Sequence, residues 1–261
     1  LFSLMAGFGF PGAAEAPGFQ RLLSGAVFPL GLILVVFTGA ELFTGNNAVL
    51  MPGALGRRYG WGKVARNWTL VWLGNFAGAL FFTYFLVVLP GVLSSEMWRE
   101  AACNIAQTKV SLPWGTVFLR GVGANWLVCL AVWLGMSAND VPGRMIGLFF
   151  PIMCFVVIGY EHCIANMFFI PLGMLLGAPV SAAELFAGNL VPATLGNIVG
   201  GGLFVGGLYW YLNRNSRGSR DAAARRAIRG MSRHIRTPFV STKCIRRSIS
   251  AQAYQRKSIN S

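Results

Sequence analysis

The strongest constraint in this chain is a series of apolar stretches, each at least as long as a bilayer requires. They run through Arg21–Arg57, Asn67–Pro90, Pro113–Met136, Arg144–Leu176 and Phe186–Leu212, where a spanning helix takes about 20 residues. With 55% hydrophobic and only 11% charged residues, the chain is too apolar for a soluble domain and reads as an integral, multi-pass membrane protein. The stretches at 21–57 and 144–176 exceed a simple span, so each is expected to contain a break. The chain opens at Leu1 inside a further apolar run, Leu1–Phe10, which reads as the remnant of a first membrane helix.

The net charge of +14 suggests nucleic acid until it is located along the sequence. From Arg214 onward there are thirteen Lys/Arg against the single acid Asp221, while Leu1–Leu212 is nearly balanced. The expected organisation is therefore a transmembrane domain over 1–213 and a basic, disordered cytoplasmic tail over 214–261, with docking on anionic membrane lipid as its functional alternative. No nucleic-acid partner is expected, because Phe239 and Tyr254 are the only aromatics interleaved in the tail. The five cysteines lack metal-ligand spacing and read as packing residues, so no metal or other cofactor is implied. A six-helix path puts Arg57, Arg58, Lys63, Arg66, Arg144 and the tail on one side, which the positive-inside rule makes cytoplasmic. The Gly91–Pro113 loop, with Lys109, then faces outward. A plasma membrane and an organelle envelope both fit this orientation.

The two halves of the membrane region resemble each other. GAELFTGN at Gly39–Asn46 parallels GYEHCIAN at Gly159–Asn166, sharing Gly, Glu and Asn at the same offsets. Asn67, Leu73-Gly74-Asn75 and Gly78 recur at constant spacing as Asn189, Leu195-Gly196-Asn197 and Gly200. Three helices per half is an odd number, so the second half must enter from the opposite face, giving inverted repeats with a site at the midplane built from discontinuous helices. Pro52 and Pro171, which follow the two motifs, reinforce the expectation of breaks in helices two and five. The glycines read as close helix packing. Glu41, Glu161 and His162 are costlier, since an ionisable group at the centre of a membrane helix costs at least about 2.5 kcal/mol. A carboxylate there could accept backbone N–H groups freed by the break. Arg120 is expected to snorkel outward or pair with an acid.

At these residues the chain resembles the formate/nitrite transporter family. GVGANWLVCLA at Gly121–Ala131 and GAELFTGN are similar to its signatures, and GYEHCIANMFFIPLG and LVPATLGNIVGGGL to its fifth and sixth helices. The resemblance covers about Pro11 to Leu212. Cys163, where many bacterial members have serine, and the long basic tail point to a eukaryotic-type member. The resemblance implies an all-α, aquaporin-like protomer of six helices, the first truncated here, assembled as a homopentamer. It implies transport of formate, nitrite and related monovalent anions, sometimes with a proton, and not an enzyme. By matching position, Thr44 would lie on the loop that breaks helix two. Phe28 and Leu32 would narrow the pore on the cytoplasmic side of the outer vestibule, and Phe155 would form the other apolar ring. His162 would be the single polar group between the constrictions, with Lys109, Asn125 and Glu161 forming a polar group beside it. Asn166 and Asn197 would hydrogen-bond near the pore and the opposing loop.

The chemistry follows from the cost of burying charge. A bare anion pays a large penalty in an apolar ring that a neutral acid does not. A pore that attracts the anion, shifts its protonation and passes the neutral form would accept weak acids and reject chloride and nitrate. Formate, nitrite, hydrosulfide and lactate all meet that requirement. Lys109 would concentrate the anion. His162, of a residue type that titrates near pH 6.5, would donate the proton or stabilise the anion while water protonates it, and Thr44 would gate cytoplasmic access. The alternative is an aquaporin-like channel for water or small neutral solutes, which should carry Asn-Pro-Ala at both breaks; here they read LFTGN and EHCIAN.

Overall fold

A computed structural model describes residues 1–9, 12–13 and 15–214. Leu1–Leu212 form one unit; Asn213–Ser261 form a second, described only at Asn213 and Arg214, so the expected basic tail lies outside the described residues. The described residues are helical: α1 (Phe2–Phe8), α2 (Pro17–Val27), α3 (Pro29–Thr38), α4 (Phe43–Val49), α5 (Met51–Leu55), α6 (Trp61–Phe81), α7 (Glu96–Val110), α8 (Trp114–Ser137), α9 (Val141–Ile158), α10 (Cys163–Leu175) and α11 (Val191–Ile198). The π-helical segment Phe82–Val88 extends α6, and Glu184–Leu190 and Val199–Gly207 flank α11. Among the described residues, five helical runs are long and apolar enough to cross a membrane: Pro17–Thr38, Trp61–Val88, Trp114–Ser137, Val141–Ile158 and Glu184–Arg214.

Both overlong stretches are interrupted, and glycine rather than proline makes the interruption. α3 ends on Gly39 (φ 72°) and α9 on Gly159 (φ 80°), left-handed C-caps that a side chain would strain. The chain then runs extended through Leu42 or His162 into the half-helices α4 and α10. Pro52 instead opens α5, where its missing N–H costs nothing, and Pro171 lies inside α10 without ending it. The expected outward loop Gly91–Pro113 also departs from expectation, since most of it is the amphipathic helix α7. Ala102 and Ala106 of α7 lie against Gly173 of α10.

The hydrophobic core lies between helices, and large side chains such as Leu70, Phe81, Phe85, Leu119 and Phe150 point outward, as they do where the solvent is lipid. α8 approaches α11 and the π-helical segment after it closely because the contact is glycine on backbone. A Cβ on Gly196 would stand 2.2 Å from the Phe118 carbonyl oxygen, and one on Gly200 2.2 Å from that of Val122. Gly74 and Gly78, their repeat partners, meet nothing within 4 Å. Close packing within the protomer therefore holds for the second pair and not the first, because the α6 face bearing the first pair is exposed. Gly200→Ala should destabilise the solubilised protein by about 1–3 kcal/mol through overpacking, and Gly74→Ala by less than about 0.5 kcal/mol. Thermal unfolding in detergent compares the two, and equal losses would contradict this packing.

Candidate functional site

The repeat seen in the sequence is a repeat of hydrogen bonds. In the first break the Phe43 amide donates to Asn75 Oδ1 (3.0 Å) and Asn75 Nδ2 donates to the Glu41 carbonyl (3.0 Å). In the second the Cys163 amide donates to Asn197 Oδ1 (2.9 Å) and Asn197 Nδ2 to the Glu161 carbonyl (3.0 Å). Each asparagine, from the following transmembrane helix, thus supplies the donor and acceptor that the missing helical turn withdrew. The glutamate side chains do not take the freed amides as expected. Glu41 accepts from Asn46 Nδ2, which also reaches Asn67 Oδ1 (2.9 Å). Glu161 accepts from Asn166 Nδ2 (2.6 Å), which also reaches Asn189 Oδ1 (2.6 Å).

The two carboxylates differ in setting. Glu41 is exposed, whereas Glu161 is 3% exposed. Lys109, in the last turn of α7, brings Nζ to 3.0 and 3.1 Å from the Glu161 oxygens. Asn189 Nδ2 bridges the Lys109 carbonyl (3.0 Å) and Glu161 Oε2 (3.3 Å). Lys109 is therefore an ion-pair partner and not the free cation of an outward loop. Arg120 makes no ion pair among the described residues: its guanidinium faces the Gly159 carbonyl at 3.5 Å, and its own carbonyl accepts the Glu161 amide (3.4 Å).

His162 is the N-cap of α10. Its Nδ1 accepts the Ala165 amide (3.2 Å), which in the neutral ring leaves the proton on Nε2. Nε2 lies 3.0 Å from Thr44 Oγ1, so the two half-helices meet side chain to side chain. Thr44 is not on the breaking loop but in the first turn of α4, fully buried. Its carbonyl accepts from Asn125 Nδ2 (3.1 Å), which also reaches Asn47 Oδ1 (3.1 Å) and the Asn197 carbonyl (2.7 Å). Asn125 thus stands with Thr44 and joins Glu161 only through Asn197, apart from the Lys109 cluster with which it was grouped.

Successive cavities share lining residues along this line. One of about 170 Å³, called outer after the expected orientation, is lined by Lys109, Glu161, His162 and Asn166 among others. It shares Phe28, Phe155 and His162 with a middle one of about 220 Å³. The middle cavity in turn shares Leu32, Val35 and Leu42 with an inner one of about 190 Å³ that reaches Gly39 and Asn46. The Phe28 and Phe155 rings form a single edge-to-face contact, with centroids 5.6 Å apart, where two separate rings were expected. The His162 ring stacks on Phe155, 5.8 Å away. Leu32 belongs to the inner boundary with Leu42. Leu42, Asn75 and Asn189 were not singled out as site residues; both asparagines were already visible as members of the repeat, and the signal for Leu42 was its place in that repeat, opposite His162.

The model of a family described as formate/nitrite transporter matches residues 1–211. A probable formate transporter of Methanothermobacter thermautotrophicus is 46% identical over 217 residues, covering 78% of this chain and 79% of its own length. The formate channel FocA of Escherichia coli (strain K12) is 38% identical over 220 residues, 76% of each chain. Among solved structures, a pentameric formate channel with formate bound matches with a TM-score of 0.70 at 34% identity, over 81% of this chain and 89% of its own. An FNT family ion channel matches with a TM-score of 0.72 at 29% identity, over 80% and 82%. Paired broken helices, a histidine where they meet and a family match over nearly all the described residues make this chain a member of the formate/nitrite transporter family.

Proposed function

We propose that this protein carries small monovalent weak-acid anions, formate or nitrite, across the membrane through a pore in each protomer of a homopentamer, and that a proton travels with the anion. The observation that carries this reading is the lining of the middle cavity: Phe28, Gly31, Leu32, Val35, Leu42, Val128, Ile152, Phe155, Ile164 and Ala165 surround one polar side chain, His162. A bare anion crossing that cavity gives up its hydration for a single donor, a large cost, whereas the neutral acid does not pay for a charge. The pentamer and the substrate class are supported by the names of the relatives, which include a pentameric formate channel with formate bound.

His162 acts in this scheme as a neutral hydrogen-bond donor. Its Nδ1 lone pair is committed to the Ala165 amide, so protonating that atom to form an imidazolium would break the cap of α10. The proton that neutralises the anion is therefore taken from water on the vestibule side, and Nε2–H orients the acid as it passes. Lys109 and Glu161 form an ion pair in the wall of the outer cavity, and the carboxylate also holds the half-helix through Asn166.

Liposome uptake tests the reading directly. Formate and nitrite should enter faster as external pH is lowered, roughly in proportion to the neutral acid, and chloride and nitrate should enter far more slowly at both pH values; equal nitrate entry would refute it. His162→Asn, which keeps a cap acceptor and a neutral donor, should preserve acid-stimulated uptake, while His162→Phe should abolish it; loss of pH dependence in the asparagine variant would show that the ring itself carries the proton. Lys109→Ala leaves Glu161 buried without its cation, a loss of about 3–5 kcal/mol. Uptake and thermal stability should both fall, and adding Glu161→Gln should recover part of the stability; a double variant no better than the single would contradict the pairing.

A further inference from the structure

The thiol of Cys129 plays no part in the scheme so far, yet it is placed against the residue that meets His162. Cys129 lies on α8 one turn beyond Asn125 and is 2% exposed. Its Sγ is 3.4 Å from the Thr44 carbonyl oxygen and 3.5 Å from Asn125 Oδ1. The Thr44 carbonyl therefore has two side-chain partners from α8, the Asn125 amide and the Cys129 thiol. Space for both exists because residue 201 is glycine: a Cβ there would lie 2.4 Å from Asn125 Nδ2 and 2.8 Å from Cys129 Sγ.

The consequence for transport runs through one proton. The neutral His162 ring has a single N–H, on Nε2, and Thr44 Oγ1 stands 3.0 Å from it. While Thr44 is held there, a bare anion in the middle cavity meets no unengaged donor from His162, and only an acid carrying its own proton crosses without that help. Were Thr44 to drift, Nε2–H would be free to solvate an anion of any acid strength. Selectivity thus depends on how firmly the first turn of α4 is fixed. The α4 backbone itself is short, spanning Phe43–Val49, and so gains its fixity from outside.

Resting on the proposed weak-acid transport, we propose that Cys129 is a positioning residue, which by hydrogen-bonding the Thr44 carbonyl keeps the Thr44 hydroxyl on His162 and so maintains the preference for weak-acid over strong-acid anions. Cys129 lines none of the three cavities described above; it acts through Thr44. A thiol is a weak donor, so removing it should loosen the turn without unfolding the protein.

The test is the ratio of formate to nitrate uptake by the full chain in liposomes at two external pH values, alongside thermal unfolding. A ratio does not depend on how much protein inserts. Cys129→Ala should lower the ratio by about two- to tenfold, the range a hydrogen bond of ordinary strength commands, and should flatten the dependence of uptake on pH. Cys129→Ser, close in size and again a donor, should restore both to near the wild-type values. An unchanged ratio in Cys129→Ala overturns the proposal, and so does an equal fall in both variants, which would mean that volume and not the hydrogen bond matters. A lowered unfolding temperature with an unchanged ratio would make Cys129 a packing residue only. Wild-type liposomes that take up neither formate nor nitrite would instead overturn the weak-acid transport itself.

Discussion

Everything distinctive about this protein depends on stopping two membrane helices near the bilayer centre. An unsatisfied backbone group at that depth costs several kcal/mol, and a break creates several at once. Asn75 and Asn197 remove part of that cost by the same pair of bonds, one to the amide that opens the half-helix and one to the carbonyl of the preceding glutamate. Asparagine, with donor and acceptor on one short planar group, can do both from a neighbouring helix. With the backbone satisfied in this way, Leu42 and His162, Phe43 and Cys163, Thr44 and Ile164 become equivalent positions. The side chains there are free to differ, and their differences make the site.

Much of this was legible in the sequence. The position of each break, the inverted repeat and the family follow from Gly39 and Gly159, from Glu41 and Glu161, and from the asparagines at fixed spacing. Residue types with few alternative uses inside a membrane explain this. The relations between side chains were harder. Lys109 was placed on an outward loop because fifteen polar and mixed residues look like a connection, whereas they form α7 and carry its last turn onto Glu161. Asn125 was grouped with Lys109 by resemblance, and only the packing of α8 against α11 assigns it to Thr44. The single Phe28–Phe155 contact depends on the angle between α2 and α9, which no spacing encodes.

The two halves are copies in backbone and unlike in charge. Around Glu161 the protein has built a closed set, with Lys109 supplied by α7 and Asn189 by the start of the last helix. Around Glu41 the corresponding set is Asn46 and Asn67, open to its surroundings. An ion pair with one member almost fully buried is a poor source of stability but a good source of definite geometry, because its members tolerate few arrangements. That places the better-defined half of the structure at the cavity beside Lys109 and the more open half at the cavity that reaches Gly39. Asn166 belongs to the first and lines the outer cavity, and Asn46 belongs to the second and lines the inner one.

In the proposed scheme the same asymmetry decides what the middle cavity can pass. His162 occupies the position where the other half has Leu42, so one break contributes a polar group to the cavity and its copy an apolar one. Because the histidine also caps α10, its second nitrogen is spent on the backbone and the ring offers one donor rather than two. Thr44, on the opposite half-helix, stands against that donor. Two halves folded the same way thus leave an apolar cavity with one engaged donor, which is a poor solvent for an anion and an adequate one for its conjugate acid. Discrimination between weak and strong acids then requires no dedicated binding pocket: it follows from acidity in water and from the small polarity left inside.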